Sequence, residues 1–358
     1  MRGFLIEHHG GPEALQWREL PDPQAGPDEV LVRVRACGLN RLDLWVRDGV
    51  PGHRFPLPLV PGSDIAGTVE RLGPGVDDLE IGARVLVAPA VSCGHCRRCV
   101  AGEDHLCRRY AILGEHRDGG YAELVAVPRR NVLPLPPRLS FVEGAALPLV
   151  FLTAWHMLKA RARLQPLEDV LIHAAGSGVS SAAIQIAREL GAQRIVATAG
   201  SEEKLSRARE LGATHTVNYR TDDFVRVVKE ATGGKGVEVA IDHVGGETFE
   251  KTVKSLAWAG RVVICGATAA PSAELNLRMI FFKSLSVLGS TMGSLAELLS
   301  LLPYFASGAL HPVVDRTFPL AEAPAAQEFL ARRGAFGKLV LTVGTGARDV
   351  PRAREPQT

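Results

Sequence analysis

The chain has 358 residues, of which 46% are hydrophobic and 22% are charged, a composition typical of a globular protein. Lysine and arginine number 41 against 39 aspartate and glutamate residues, so the formal net charge is only +2, which argues against nucleic acid as a main partner. No run approaches the roughly 20 apolar residues of a membrane helix, and the N-terminus lacks the pattern of a signal peptide. We therefore expect a cytoplasmic protein without a membrane partner.

Short strands dominate the first part of the chain. LVRVRA alternates apolar and basic residues, and DIAGTVERLG and ARVLVAP follow it between glycine and proline turns, from Val30 to about Val127. Alternation of this kind between turns predicts a compact all-β unit. We expect this unit to cover residues 1–151 and to carry a cysteine-rich lobe at residues 92–108.

Four of the six cysteines lie in the segment SCGHCRRCVAGEDHLC, with the spacing C-x2-C-x2-C-x7-C. In a reducing compartment such clustering indicates metal binding rather than disulfides, and the alternative of free thiols in a loop fits this spacing poorly. Four thiolates close a tetrahedral shell around Zn²⁺ and leave no open position for a substrate. The spacing predicts one structural Zn²⁺ per chain, held by Cys93, Cys96, Cys99 and Cys107.

From Asp169 onward, apolar strand patterns alternate with helical patterns. The strand patterns are VLIHAA, IVATA, THTVNY, VEVAID, RVVICG and LSVLGS. Such alternation over about 120 residues predicts an α/β domain with a parallel, doubly wound sheet, here placed at residues 152–291. After Gly293, two helical patterns and a last strand, KLVLTV, are expected to return to the first domain over residues 292–344. The tail at residues 345–358 has little apolar content and is expected to be disordered.

A glycine turn, GSGVS, connects the strand VLIHAA to the helix that follows it. Backbone N–H groups and the positive end of a helix at such a turn can bind a pyrophosphate. The turn departs from G-x-G-x-x-G because Ser181 occupies the third glycine position, so an ordinary strand-to-helix turn is the alternative. The repeated strand-helix units favour a nucleotide site. Its expected cofactor-binding residues are Gly176, Ser177, Gly178, Val179 and Ser180.

The two halves together resemble the medium-chain dehydrogenase/reductase superfamily. ACGLNRLDLWVRDG, PLVPGSDIAG, ATAGSEEKL, LGATHTVNYR, TGGKGVEVAIDHVGG and GRVVICG are similar to the quinone oxidoreductase branch, whereas the cysteine lobe is similar to the structural zinc site of the zinc alcohol dehydrogenases. The resemblance implies a Rossmann domain joined to a GroES-like β-rich substrate domain. It also implies a homodimer or homotetramer in which LSVLGS, an expected edge strand, pairs across a two-fold axis.

The catalytic zinc of the alcohol dehydrogenases can be tested position by position against this resemblance. Its three ligand positions fall on Asn40, Ser63 and Leu149. The glutamate that follows the histidine ligand in the family's Gly-His-Glu segment falls on Asp64. An amide, a hydroxyl and a leucine do not replace two thiolates and an imidazole, so we expect no catalytic metal. A catalytic zinc held by other side chains is the weaker alternative. The candidate ligands are His53, Cys37 and His156.

The segments aligned with the zinc ligands carry several polar residues, which we expect at the mouth of the substrate cleft. They are Asn40, Asp43, Ser63 and Asp64. Asn40 could donate a hydrogen bond to a carbonyl or quinone oxygen as negative charge develops there. The alternative is that Asn40 and Asp43 cap the helix RLDLWVRDG. The resemblance places Thr153 beside the nicotinamide, although by itself it is an ordinary helix residue.

The end of the second Rossmann strand bears on the choice of cofactor. NAD enzymes commonly place an acidic residue there, whereas this strand ends at Ala199. The absent carboxylate favours NADP(H) over NAD(H), and the quinone oxidoreductase branch implies a 2′-phosphate site at Ser201, Lys204, Tyr219 and Arg220. Glu202 and Glu203 argue against this assignment. A loop pattern is expected on the nicotinamide side of the cofactor site, with ordinary strand-end turns as its alternative. It consists of Asp242, His243 and Val244, followed further along the chain by Cys265 and Gly266.

These observations favour an NADPH-dependent reductase that transfers hydride to a quinone or an α,β-unsaturated carbonyl, with a small molecule as its substrate. Two alternatives stay open: a zinc-dependent alcohol dehydrogenase with an unusual catalytic site, and a non-catalytic nucleotide-binding protein. The proton donor also stays open. The candidates for it are Tyr110, Tyr121, His116 and bulk water.

Overall fold

A computed structural model describes residues 1–344, and the predicted disordered tail lies outside the described residues. The chain divides into two compact units. The first unit contains residues 1–149 and the described residues from 298 on, and the second is Val150–Glu297. The boundaries at 149/150 and 297/298 lie two residues before and six residues after the expected ones at 151/152 and 291/292.

The strands alternate with turns in the first unit and with helices in the second. The strands are β1 (Arg2–Leu5), β2 (Gln16–Glu19), β3 (Glu29–Gly38), β4 (Asp64–Leu72), β5 (Arg84–Val87), β6 (Ala90–Val91), β7 (Ala111–Ile112), β8 (Leu124–Pro128), β9 (Val132–Pro134), β10 (Asp169–Ile172), β11 (Arg194–Ala199), β12 (His215–Asn218), β13 (Val237–Asp242), β14 (Leu256–Ile264), β15 (Ser286–Gly289), β16 (Val314–Pro319) and β17 (Lys338–Thr342). The α-helices are α1 (Arg41–Asp48), α2 (Arg97–Val100), α3 (Phe141–Ala145), α4 (Pro148–Trp155), α5 (Gly178–Glu189), α6 (Glu202–Leu211), α7 (Phe224–Ala231), α8 (Gly246–Lys254), α9 (Leu277–Phe282), α10 (Leu295–Ser307) and α11 (Ala323–Ala331).

The first unit is built on a sheet in the order β16-β17-β3-β4-β5-β9, with β8 paired to β3. Apolar residues of its strands form one buried cluster, in which Val32, Ile65 and Leu341 are fully or almost fully covered. The predicted strand patterns LVRVRA, DIAGTVERLG and ARVLVAP correspond to β3, β4 and β5. The expected sheet of this part is therefore present, but the part is β-rich rather than all-β, because α1, α2 and α3 also belong to it. The last strand pairs with β3, as its return to the first unit requires.

The second unit is a six-stranded sheet in the order β12-β11-β10-β13-β14-β15, and every neighbouring pair is parallel. This order, in which the first strand lies in the middle, is that of a Rossmann dinucleotide-binding fold. All four residues of β10 are buried, as expected for a central strand covered on both faces. The helix predicted at Glu202–Leu211 coincides with α6, and α5 is followed by Gly191 with a positive φ of 80°.

Some elements were not predicted, among them α9 and the strand β16, which pairs in parallel with β17. The π-helical segment His156–Arg161 continues α4, the helix that carries Thr153. VDRTFP carries few apolar residues, so its strand forms through pairing with β17 rather than through a pattern of its own. Within residues 1–344, no helix combines the length and the apolar character that crossing a membrane requires.

Candidate functional site

The four clustered cysteines converge in the structure. Cys96 is the N-cap residue of α2, and the turn of that helix brings Cys99 back beside it. Sulfur atoms of neighbouring members lie 3.6–3.8 Å apart. Zn–S bonds of about 2.3 Å in a tetrahedron place neighbouring sulfurs about 3.8 Å apart, so the four thiols fit a structural zinc shell. The donor set consists of Cys93, Cys96, Cys99 and Cys107.

A second cluster in the first unit joins Asn40, Asp64 and Lys338, which are all buried. The Lys338 ammonium donates to Asn40 Oδ1 at 2.7 Å, to Asp64 Oδ2 at 2.8 Å and to the Leu39 carbonyl at 2.6 Å. Asn40 Nδ2 donates to Asp64 Oδ2 at 2.9 Å. Because an ammonium only donates and a carboxylate only accepts, these partners fix which end of the Asn40 amide is oxygen and which is nitrogen.

Strand pairing explains why these three residues meet. Gly38, near the end of β3, is opposite Asp64 on one side and Val340 on the other. The first residue of β4, the first residue of β17 and the residues that follow β3 are therefore brought to the same place. Sequence reasoning missed Lys338, although a charge at the start of the otherwise apolar KLVLTV was the available signal.

Asp43 has a more constrained environment than a simple helix cap. Its Oδ2 accepts the backbone N–H of Asn40 at 2.8 Å, which forms part of a capping box, and the hydroxyl of Tyr121 at 3.0 Å. Its Oδ1 is buried with no hydrogen-bond partner within the described chain, and so is the hydroxyl of Ser63. Burial raises the pKa of Asp43 to about 7. Asn40 thus occupies the N-cap position of α1, as one alternative expected, while its amide contacts Lys338 and Asp64.

The residues at the three substituted ligand positions do not fit a catalytic zinc. Asn40 and Ser63 supply no thiolate or imidazole, and the backbone N–H of Leu149 is directed at Asp64 Oδ1 at 2.8 Å. The Lys338 ammonium lies against the same groups and would repel a second cation.

Two of the candidate rescue ligands are engaged elsewhere. His156 is buried and lies 2.9 Å from the carboxylate of Glu297, and Cys37 is buried in the core of the first unit, where burial raises the pKa of its thiol. His53 lies beside Glu115 and His116.

The candidate proton donors differ in accessibility. Tyr121 is fully covered and its hydroxyl is bonded to Asp43, and burial raises its pKa well above the ordinary value for tyrosine. Burial also raises the pKa of Tyr110. Neither tyrosine is a good acid under these conditions. His116 is partly exposed.

In the second unit, the turn after β10 leads directly into α5. Ser177 is the N-cap residue, and its Oγ accepts the backbone N–H of Ser180 at 3.0 Å. His243, which follows β13, places Nε2 3.1 Å from Ser177 Oγ and 2.9 Å from Ser180 Oγ. A half-buried helix N-terminus of this kind, at the carboxyl ends of parallel strands, fits a dinucleotide pyrophosphate. The residues that form it are Gly176, Ser177, Gly178, Val179 and Ser180.

The loop after β11 meets the segment after β12. A Cβ atom on Gly200 would lie 2.7 Å from the Tyr219 hydroxyl and 3.1 Å from Arg220 Nε, so a larger residue there would have to displace these side chains. Ser201 is the N-cap residue of α6, and its Oγ accepts the backbone N–H of Lys204. Tyr219 and Arg220 therefore lie against the loop that leads to Ser201, and Ala199 is the last residue of β11.

The other two predicted site residues also belong to the second unit. Thr153 is buried within α4. Gly266 follows β14, and a Cβ atom on it would lie 3.6 Å from the Cβ of His243, in ordinary contact. Gly266 therefore lies at the same end of the sheet as the pyrophosphate turn.

Comparison with known proteins agrees with this architecture. Residues 26–137 match the alcohol dehydrogenase GroES-like domain, and residues 178–307 match the zinc-binding dehydrogenase family. Rat quinone oxidoreductase (Rattus norvegicus) is 32% identical over 95% of this chain and 97% of its own length. The 2-haloacrylate reductase of a Burkholderia species is 33% identical over 94% of this chain and 97% of its own length.

A solved structure described as an NAD-dependent alcohol dehydrogenase is 48% identical, with a TM-score of 0.91 over 96% of this chain and 100% of that one. The expected GroES-like and Rossmann domains are confirmed, and the non-catalytic alternative is set aside because the relatives are oxidoreductases. The chain belongs to the medium-chain dehydrogenase/reductase superfamily, is quinone oxidoreductase-like, and is an NAD(P)-dependent oxidoreductase acting on small molecules.

Proposed function

We propose that this protein is an NADPH-dependent reductase of quinones or α,β-unsaturated carbonyl compounds that works without a catalytic zinc. The cluster of Asn40, Asp64 and Lys338 carries the proposal. The resemblance aligns Asn40 and Asp64 with the zinc-site segments of alcohol dehydrogenases, and the buried Lys338 ammonium contacts both side chains.

The chemistry of the acceptor explains why this substitution matters. A simple alcohol must become alkoxide-like before it loses hydride, which a bound metal promotes by lowering its pKa. A quinone or enone is already electrophilic, so positioning and one or two hydrogen bonds suffice. The names of two relatives, a quinone oxidoreductase and a 2-haloacrylate reductase, refer to acceptors or reactions of this electrophilic kind.

A bound nicotinamide cofactor supplies the hydride in this reaction. In the first unit, Asn40 would donate the second hydrogen of Nδ2 to the acceptor oxygen, since the first is directed at Asp64. Lys338 acts as a positioning residue, because its contact with Asn40 Oδ1 fixes the direction of that donor. Asp43 is a second positioning residue, because it holds the backbone of Asn40. The resemblance adds Ser63 in the first unit and Thr153 in the second unit to the proposed catalytic residues.

Preference for NADPH is supported by the loop after β11. The cationic side chain of Arg220 and the Tyr219 hydroxyl approach Gly200, and no carboxylate stands at Ala199 to repel a 2′-phosphate. Ser201, the N-cap residue of α6, and Lys204 in the first turn of that helix complete this proposed 2′-phosphate site.

The competing candidate is NAD-dependent alcohol oxidation, which the name of the 48% identical structure favours. Steady-state assays with quinones, enals and simple alcohols, with and without a strong chelator, separate the two. We expect efficient quinone or enal reduction that chelation leaves unchanged while the fold persists. Efficient benzyl alcohol oxidation that chelation rapidly abolishes would instead support an alcohol dehydrogenase.

Substitution of Asn40 tests its role in the reaction. We expect Asn40→Ala to lower kcat/KM about tenfold to a hundredfold with little change in NADPH affinity, because it removes one donor to the developing oxyanion. Asn40→Ser is the matched variant, since serine keeps a favoured N-cap side chain but lacks the amide. If Asn40→Ser retains the full rate, the residue acts only as a cap.

Substitutions in the loop after β11 test the cofactor preference. Fluorescence titration should give tighter binding of NADPH than of NADH. Ala199→Asp should weaken NADPH at least tenfold more than NADH, because like charges about 4 Å apart repel by about 4 kcal/mol at an effective dielectric near 20. Arg220→Gln, on an exposed side chain, should weaken NADPH selectively without disturbing the core. Tighter binding of NADH by the wild-type protein would contradict the assignment.

A further inference from the structure

A second group of metal-binding side chains lies in the first unit, outside the cysteine lobe. It consists of His53, Glu115 and His116, whose ligand atoms lie within 4.8 Å of one another. Glu115 Oε1 is 3.5 Å from His53 Nε2, and Glu115 Oε2 is 3.7 Å from His116 Nδ1. The two imidazole rings meet edge to face, with centroids 5.9 Å apart.

Local turns place these three side chains. The backbone N–H groups of Glu115 and His116 both donate to the Ile112 carbonyl, which turns the chain so that the two side chains follow each other. His53 ends a turn that begins at Val50, and its ring packs 4.4 Å from the ring of Phe55. The cluster is therefore built by the backbone and not by chance contacts of long, exposed side chains.

The charge balance of the cluster favours a cation. The side chain of Glu115 is only 11% exposed, and within residues 1–344 the charged groups paired with it are the two histidines. A covered carboxylate without a lysine or arginine partner is costly, and a divalent cation would compensate it.

The distances inside the cluster fit coordination better than hydrogen bonding. Separations of 3.5 and 3.7 Å are too long for good direct hydrogen bonds between a ring nitrogen and a carboxylate oxygen. Tetrahedral bonds of about 2.0–2.1 Å to nitrogen and oxygen place neighbouring ligand atoms about 3.3–3.4 Å apart. The two measured separations, one to each oxygen of Glu115, exceed this spacing by a few tenths of an ångström, and one ligand atom from each residue lies within 4.8 Å of the others. The sulfur-to-sulfur distances in the cysteine lobe, compared with a tetrahedral Zn²⁺ shell in the same way, match it.

We propose that His53, Glu115 and His116 form a second metal site, which binds a divalent transition metal such as Zn²⁺ with two imidazoles and one carboxylate. Three protein ligands leave at least one position open to water or to an oxygen of a small molecule. Imidazole ligands favour transition metals over Mg²⁺ or Ca²⁺. None of its three ligands is one of the substituted ligand positions, which are Asn40, Ser63 and Leu149.

Two features make the site exchangeable rather than permanently filled. His53 is partly exposed, and His116 Nδ1 accepts the Ile112 N–H at 3.2 Å, a long hydrogen bond that a metal on this nitrogen would replace. The loop itself is firmly placed against the segment that carries Ser63, because a Cβ atom on Gly114 would lie 2.4 Å from the backbone nitrogen of Gly62.

Cobalt titration of the dialysed full-length protein tests the proposal without cofactor or substrate, and so independently of the proposed reaction. We expect one tightly held Zn²⁺ per chain after dialysis and the uptake of one further Co²⁺. This Co²⁺ should show weak visible absorption and none of the intense near-ultraviolet bands of cobalt bound to thiolates. Uptake should weaken at acidic pH, because protons compete with a metal for its ligand atoms.

Matched variants assign the uptake to these residues. His53→Gln and Glu115→Gln should each weaken Co²⁺ binding at least tenfold, whereas His8→Gln, which replaces an exposed histidine outside the cluster, should leave it unchanged. The proposal is wrong if the wild-type protein takes up no further Co²⁺, or if His53→Gln binds it as tightly as His8→Gln does. If Glu115→Gln does not fold, the His53→Gln variant still tests the proposal.

Discussion

At the residue scale, one lysine changes the interpretation of the polar cluster in the first unit. Lys338 is 4% exposed and forms an ion pair with Asp64, which is fully covered. Removal of either partner would leave an uncompensated buried charge, which typically costs several kcal/mol. The pair thus holds Asn40 in one orientation and also ties the start of β17 to the start of β4.

Asp43 gives a pH-dependent prediction at the same scale. Burial holds its folded-state pKa at about 7, above the ordinary value of 3.8, so the folded protein binds this proton more tightly than the unfolded chain does. The stabilisation is complete below about pH 4 and is lost as the pH rises through about 7. We expect the free energy of unfolding to fall between pH 5 and pH 8 by about 2 kcal/mol less in Asp43→Asn than in the wild type.

Urea unfolding at the two pH values measures this difference. Asp77→Asn, at an exposed aspartate, is the control and should follow the wild-type pH dependence. An unchanged pH dependence in Asp43→Asn would mean that Asp43 stays ionised in the folded protein.

At the scale of elements, the cysteine lobe depends on its metal. The lobe is short. Among the described residues it contains one α-helix, α2, which has four residues, and none of them is buried. A segment of this kind has too little apolar surface to order itself, so the free energy of metal binding supplies its local stability.

Removal of one thiolate tests this dependence. Cys99→Ser should lower the tightly held zinc from one per chain to none after dialysis and increase hydrogen exchange over residues 92–108, while the sheets persist. Elemental analysis and hydrogen-exchange mass spectrometry give the two readouts. Cys265→Ser, outside the cluster, should retain its zinc. Full zinc content in Cys99→Ser would refute the assignment.

At the scale of the whole molecule, the edge of the parallel sheet bears on assembly. β15 ends the strand order and pairs with β14 on one side. Val287 on this strand is exposed, and so are Trp258, Phe281 and Phe282 in the same unit. An unprotected edge beside exposed apolar side chains favours pairing with a second copy. We infer a homodimer, or a homotetramer built from such dimers, in which β15 strands pair across a two-fold axis.

A charge on the edge strand should prevent this association. We expect Val287→Lys to convert the wild-type oligomer into monomers at micromolar concentration, because the two lysines would meet near the axis. Multi-angle light scattering measures the mass. Ile81→Lys, at an exposed isoleucine of the first unit, should leave the mass unchanged. A monomeric wild type would contradict the inference.

The sequence by itself determined the features that depend on local pattern. Alternation of strand and helix predicted the Rossmann sheet, because each strand-turn-helix unit carries its own periodicity and its own glycine or serine at the turn. The spacing of the four cysteines predicted the metal lobe, because the ligands lie within one short segment and little tertiary structure is needed to bring them together.

Only the tertiary structure decided which distant residues meet. Lys338 reaches Asn40 and Asp64 across almost 300 residues of sequence, through the pairing of β17 with β3 and of β3 with β4. Strand register brings such residues together only once the sheet has formed. His53 also meets Glu115 and His116 from a distant segment, although turns rather than strand pairing place these three side chains. A linear pattern carries information about its own segment, whereas the charges and ligands of these sites belong to several segments at once.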